Sequence, residues 1–141
     1  MIEIRTATQA DKAFWFRLDG HLAEAGFDRK VRDGQAYVLL VDGAPAGILR
    51  YCLFWDNTPF CNLLVIDAPF RRAGLGRRLM ERWERDMRDE GFDMLMTSTQ
   101  VDEDAQHFYR KLGYRDCGGL VIDIPGHEQP MELFLLKGIR G

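Results

Sequence analysis

The stretch Leu63-Leu64-Val65-Ile66-Asp67-Ala68-Pro69-Phe70-Arg71-Arg72-Ala73-Gly74-Leu75-Gly76-Arg77-Arg78 decides how the chain is read. It opens as an apolar run of strand type and passes through a loop at Asp67 to Ala73. It then enters a helix in which Leu75, Leu79, Trp83 and Met87 recur every fourth residue, with Arg and Glu filling the other positions. Gly91 stops that amphipathic helix after about four turns. Residues 71 to 78 hold four arginines and no acid. A loop at a helix N-terminus offers unpaired backbone N–H groups, and the helix dipole adds partial positive charge, so an anion is favoured there. Gly74 and Gly76 lack a Cβ and let the chain curl until successive amides converge on phosphate oxygens. The implied ligand is a pyrophosphate; a solvated basic helix start is the plain alternative. A P-loop is excluded because no Lys-Ser/Thr follows the glycines, and the third glycine of a dinucleotide fingerprint is missing.

Upstream, Ile2 to Arg5 reads as a short strand. Thr8 or Asp11 then caps a helix carrying Ala13, Phe14, Phe16 and Leu18. A second helical stretch runs from about Leu22 to Val31 and ends at Asp33-Gly34. Ala36 to Val41 and Ala46 to Phe54 flank Asp42-Gly43, a pair that tolerates the positive φ of a type I′ hairpin turn. After the turn formers Asp56-Asn57-Thr58-Pro59, Phe60 to Ile66 is the next strand.

Downstream, Met94 to Ser98 reads as a strand. Ala105, Phe108, Tyr109 and Leu112 at i, i+3, i+4 and i+7 mark a helix ended by Gly113. The runs Leu120 to Ile124 and Met131 to Leu136 are expected to close the chain as strands around Pro125-Gly126. The order β-α-α-β-β-β-α-β-α-β-β predicts an α+β fold, with a mixed, mostly antiparallel central sheet flanked by helices.

Composition bounds the function. The 141 residues are 46% apolar and 29% charged, values of an ordinary globular domain, and no linker or repeat divides them, so one domain over residues 1–141 is expected. The net charge of −3 argues against a general nucleic-acid or anionic-membrane binder. No apolar stretch approaches a membrane span and Met1 to Arg5 has no signal-peptide pattern, so a cytoplasmic location is expected. Cys52, Cys61 and Cys117 are odd in number, widely spaced and without a Cys/His ligand pattern. They suggest neither a disulfide framework nor a metal site, but reduced and mostly buried thiols.

Arg71-x-x-Gly74-x-Gly76 after an apolar strand resembles the acetyl-CoA loop of the GNAT N-acetyltransferase superfamily. Ala105-x-x-Phe108-Tyr109-x-x-x-Gly113-Tyr114 resembles the second block of the same superfamily, and the element order agrees from Ile2 to Lys137. Two positions depart from the pattern. Ala68 stands where a proline is frequent, with Pro69 next to it, and Asp102 stands where Asn is common; Asp still caps a helix but cannot donate a hydrogen bond.

The resemblance implies a fold, a cosubstrate and roles. Acetyl-CoA is the expected cosubstrate, with Arg71, Arg72, Ala73, Gly74, Leu75, Gly76 and Arg77 around its pyrophosphate. The backbone of Leu64, Val65 and Ile66 is expected along its pantetheine arm, where two strands splay apart, with the Leu64 and Ile66 side chains in the core. Amides left unpaired at such a splay polarise the thioester carbonyl. The expected reaction is direct attack by a primary amine in a ternary complex. Tyr109 matches the family's general acid, because a phenol stays protonated at neutral pH and donates to the leaving thiolate; a core aromatic is the alternative.

The base is open among Asp56, Glu24 and Asp102, each equally readable as a solvated carboxylate. His21, His107 and His127 read as surface or core histidines, and Cys61 as packing, since no His or Asp is paired with it. Carboxylates at Glu24, Asp28, Asp56 and residues 102–104 suggest a cationic acceptor. A non-catalytic acyl-CoA sensor or interaction module is the rival reading, and homodimerisation stays open.

Overall fold

The computed structural model describes residues 1–140. They form β1 (Ile2–Thr6), α1 (Lys12–Leu18), α2 (Glu24–Asp33), β2 (Ala36–Val41), β3 (Ala44–Phe54), β4 (Thr58–Ile66), α3 (Leu75–Asp89), β5 (Met94–Gln100), α4 (Ala105–Lys111), β6 (Arg115–Leu120) and β7 (Glu132–Gly138). The strands make one seven-stranded sheet in the order β1-β2-β3-β4-β5-β7-β6. β4 and β5 run parallel, while β1 with β2, β2 with β3, β5 with β7 and β6 with β7 run antiparallel. The α+β class and the element order match the sequence reading. No helix is long and apolar enough to cross a membrane.

Residues divide into two compact units. The first comprises Met1–Cys52 with Asn62–Asp86, and the second comprises Leu53–Cys61 with the residues from Met87 on.

In the first unit, β2 is buried along nearly its whole length because helices cover both of its faces. Trp15 of α1 and Phe27 of α2 stack at 5.4 Å and pack with Val38, Leu40 and Ile48 on one face. On the other, Tyr51 meets Trp83 of α3 at 5.7 Å, and Tyr37 donates from its hydroxyl to Asp86 at 2.8 Å. Two-sided burial explains why Ala36 to Val41 reads as a continuous apolar run and not as an alternation. Asp42 and Gly43 both take positive φ, as the type I′ turn requires. Thr8 and Asp11 form a capping box around a short 3-10 turn before α1, and Gly34 ends α2 in the left-handed conformation.

In the second unit, β5 pairs with β7 along all seven of its residues, and Phe60 of β4 meets Phe134 of β7 edge-on at 5.9 Å. The expected strand Leu120–Ile124 is corrected here. The strand is Arg115–Leu120, and Val121 and Ile124 lie outside it, exposed. β6 is an edge strand, exposed at every residue and carrying a bulge between Asp116 and Gly118. Such a strand needs no apolar alternation, so periodicity passed over it. The thiols are also corrected: all three are free, but only Cys61 is buried, Cys52 is partly exposed and Cys117 is exposed on β6.

Candidate active site

The loop lies in the first unit and begins where β4 ends. The Asp67 carboxylate accepts from the Ala68 amide at 3.0 Å and from Arg17 at 3.3 Å, starting a 3-10 turn over Ala68–Phe70 that contains Pro69. Arg71 then folds back and donates from Nε to the Ile66 carbonyl oxygen at 2.8 Å. Arg72 takes φ +66° and Gly74 φ +75°, two left-handed residues on either side of Ala73. Two left-handed residues so close together bend the loop sharply into the start of α3. Arg78 donates its amide to the Gly74 carbonyl at 3.2 Å, so Gly74 caps α3. The amides of Leu75, Gly76 and Arg77 therefore have no acceptor within the helix. Leu75 is buried and anchors the helix start, whereas Arg71, Arg72, Ala73, Gly74, Arg77 and Arg78 are exposed.

Leading into the loop, the alternation of β4 sends Leu63 and Val65 onto the core of the first unit. Leu64 and Ile66 are half-buried, as are Leu63 and Val65. Gly47 of β3 backs this strand end: a Cβ there would stand 2.6 Å from Ile66 Cδ1 and 3.2 Å from the Val65 carbonyl oxygen. The sequence reading passed over Gly47, although a glycine inside an apolar strand signals close backbone approach.

In the second unit, α4 presents Tyr109 toward β5. Its ring is 7% exposed and lies 5.3 Å from Phe108 and 5.8 Å from Tyr114. Burial pushes the Tyr109 hydroxyl well above the ordinary phenol range, helped by neighbouring Cys61, while a hydrogen bond with Thr97 opposes the rise. Thr97, on β5, donates from Oγ1 to the Cys61 carbonyl oxygen at 3.1 Å. The parallel register of β4 and β5 covers Phe60↔Met96 and Cys61↔Thr97. Thr97 was also missed, because an isolated threonine in a strand carries no local signal of what it bonds.

The remaining candidates are scattered. Asp56 is exposed in the tight turn after β3, at φ +62°. Glu24, in the first turn of α2, and Asp28 both pair with Lys12 at 3.1 Å. Asp102 is exposed and does not cap α4, whose N-cap is Asp104. The preceding loop is held by Glu103, which accepts from the Gln100 amide at 3.0 Å, and by Gln106, which donates to the Val101 and Glu103 carbonyls. His21, His107 and His127 are exposed. Among the described residues, no group of three or more His, Cys, Asp or Glu side chains is arranged to hold a metal ion.

Comparison with known proteins adds three results. No curated protein sequence matched the chain. Among solved structures, Ard1 from Thermoplasma volcanium superposes with a TM-score of 0.87 at 18% identity, covering 99% of each chain. The ribosomal-protein-S18-alanine N-acetyltransferase from Escherichia coli gives 0.78 at 16% identity, covering 100% of this chain and 96% of its own. A GNAT family acetyltransferase from Elizabethkingia anophelis with acetyl-CoA bound gives 0.77 at 16% identity, covering 97% of each chain. At such identities the likeness is one of fold. The family model described as the acetyltransferase (GNAT) family matches residues 3–114, a span that holds β1 through α4, the Arg71 to Gly76 loop and Tyr109; the chain therefore belongs to the GNAT acetyltransferase family.

Proposed function

We propose that this chain, acting as one domain over residues 1–141, transfers the acetyl group of acetyl-CoA to a primary amine by direct attack in a ternary complex. The observation that carries the reading is the loop of residues 71–76. Its paired left-handed residues, Arg72 and Gly74, lead into the unpaired amides of α3 inside the span matched by the family model. The amides of Ala73 to Arg77 and the side chains of Arg71, Arg72 and Arg77 are assigned to the pyrophosphate. The backbone of Leu64, Val65 and Ile66 is assigned to the pantetheine amides.

Attack forms the C–N bond, and collapse of the tetrahedral intermediate breaks the C–S bond and leaves its electron pair on sulfur. Tyr109 is assigned to meet that sulfur. Because burial holds its hydroxyl protonated, Tyr109 is always a donor, and its hydrogen bond stabilises the thiolate as charge develops. The nitrogen releases its proton to water, directly or through one of the exposed carboxylates Asp56, Glu24 and Asp102. Lys12 neutralises Glu24 and Asp28, which leaves Asp56, Asp102 and Asp104 to attract a cationic acceptor.

Calorimetric titration with acetyl-CoA, followed by a thiol-release screen of amines, tests the reading. One compared structure acts on a protein alanine, so an Ala-initiated peptide belongs in the panel beside diamines. Binding below millimolar concentration with amine-dependent thiol release is the expected result. No binding at millimolar acetyl-CoA overturns the reading, and binding with no release for any amine favours the acyl-CoA sensor.

A further inference from the structure

The turn between β3 and β4 is closed by the Asn57 amide, which donates to the Phe54 carbonyl at 3.2 Å, and its central residues Trp55 and Asp56 take φ +56° and +62°. Two positive φ values make a type I′ turn, which Asn and Gly fill easily and a bulky Trp fills with strain. The Trp55 side chain is 78% exposed, with the Phe54 ring at 4.8 Å, so folding gains little from it. Strain kept at a side chain that folding leaves outside points to a binding role. Trp55 stands at a groove of about 530 Å³ lined by Phe54, Met94, Leu120, Phe134 and Leu136, all of the second unit. The pleat makes this groove: Leu95, Leu133 and Leu135 are buried on one face of β5 and β7, and Met94, Phe134 and Leu136 alternate with them onto the other. Among the described residues, Met1 is the only exposed large apolar side chain outside this unit. Apolar surface gathered in this way marks an interaction site.

We propose that the groove is filled by a second copy of this chain, related by a two-fold axis, with Trp55 of each copy seated in the groove of the other. A two-fold interface joins the same patch on both subunits, so the patch must complement itself. Here an apolar knob stands beside an apolar hole, and the knob is a Trp, a side chain that anchors interfaces when buried. The charges agree with that arrangement. A second groove, of about 580 Å³, shares Met94, Cys117 and Leu136 with the first and reaches Arg115 on β6. Its acids are already bridged, Asp116 by Arg110 at 2.9 Å and Asp93 by Arg140 at 3.6 Å. Arg115 and Asp56 are both exposed, and no ion pair among the described residues includes either. Trp55 entering the facing groove carries Asp56 toward the partner's Arg115, and the two-fold axis makes that attraction twice. A small apolar ligand would fill the groove and leave Arg115 unanswered. In the dimer Asp56 is withdrawn from the carboxylates open to an acceptor amine, which leaves Glu24 and Asp102.

Sedimentation equilibrium from micromolar to millimolar chain concentration tests the assembly. The wild type is expected to pass from monomer to dimer over that range. Cys117 lines both grooves, so its alkylation by iodoacetamide, followed by peptide mass spectrometry, should slow in step as the dimer covers it. Trp55→Asn suits the turn and removes the knob; it is expected to stay monomeric and to melt no lower than the diluted wild type. Leu120→Asp, on the groove wall, should also be monomeric and provides the answer if Trp55→Asn does not fold. Arg115→Asp is expected to weaken the dimer by about tenfold or more by facing two acids, and the Arg115→Asp/Asp56→Arg double variant to recover it. A wild type that stays monomeric at millimolar concentration overturns the proposal and leaves the groove to another occupant. Species larger than a dimer overturn the two-fold arrangement. So does a dimer that forms unchanged in both Trp55→Asn and Leu120→Asp, or an Arg115→Asp loss that the charge swap does not recover, since each places the contact elsewhere.

Discussion

Arg71 donates from Nε to the carbonyl oxygen of Ile66 at 2.8 Å, so the first arginine of the anion loop is tied to the last residue of β4. A guanidinium bridging strand end and loop acts as a strut as well as a charge. Arg71→Ala is expected to weaken acetyl-CoA binding by about tenfold or more, the worth of one charge-assisted hydrogen bond. Arg71→Lys keeps the charge but not the planar fork, so it should recover only part of the loss. Calorimetric affinity equal to wild type for Arg71→Lys would show that charge alone matters.

Gly74 sits at φ +75°, and no atom lies within 4 Å of where its Cβ would be. The protein itself therefore leaves room for a side chain, and the cost of substitution is conformational. A β-branched residue held in the left-handed region is strained by about 1–2 kcal/mol, whereas Asn tolerates that region better. Gly74→Val should bind acetyl-CoA more weakly than Gly74→Asn. Equal losses in the two variants would point to collision with the bound cosubstrate.

A Cβ on Gly47 would stand 2.6 Å from Ile66 Cδ1, so that side chain must turn aside, and 3.2 Å from the Val65 carbonyl oxygen, which must give by a few tenths of an ångström. Gly47→Ala is expected to lower stability by roughly 1–3 kcal/mol, as other overpacked sites do, and to weaken acetyl-CoA binding through the displaced backbone of Val65 and Ile66. Thermal melting and calorimetry on the same variant check both effects. A destabilised variant with unchanged affinity would separate this strand end from cosubstrate binding.

Tyr109→Phe removes one hydroxyl from a packed ring. With an amine found by the screen, kcat should fall by ~10²-fold while the KM for acetyl-CoA stays nearly constant, as for an interaction formed chiefly in the transition state. Wild-type kcat under conditions where chemistry limits turnover would leave Tyr109 as packing.

Asp19 collects four donors on one buried carboxylate: Trp15 Nε1 at 3.0 Å, Arg50 Nε at 2.9 Å, and the amides of His21 at 3.0 Å and Leu22 at 3.2 Å. Burial alone raises its pKa, but Arg50, the His21 amide and Trp15 outweigh burial, and the net direction is downward. A carboxyl lowered in the folded state contributes stability above its unfolded value of ~3.9, and that contribution disappears as pH falls through the folded value. The advantage of wild type over Asp19→Ala should therefore be full at neutral pH, about 3 kcal/mol for a charge left unpaired beside Arg50, and should shrink below pH ~4. Denaturant melts at pH 7 and pH 3 check the sign; an advantage that grows on acidification would refute it.

The sequence by itself determined the element order, the type I′ turn at Asp42-Gly43, the end of α2 at Gly34 and the loop of residues 71–76. Each of these is written in a few neighbouring residues, through side-chain periodicity or the freedom of glycine at positive φ. The tertiary structure decided what distant residues share. Edge strand β6 carries no apolar alternation, so only its ladder with β7 reveals it. The pleat of β4 places Leu63 and Val65 on the core that α1 and α2 cover, a partnership that apolar character alone does not specify. Lys12 neutralises Glu24 and Asp28 from another helix, and Thr97 reaches Cys61 from the neighbouring strand. Local chemistry fixes φ, ψ and periodicity residue by residue, whereas the partner of a buried hydroxyl or carboxylate is chosen by strands and helices that meet only when the chain has folded.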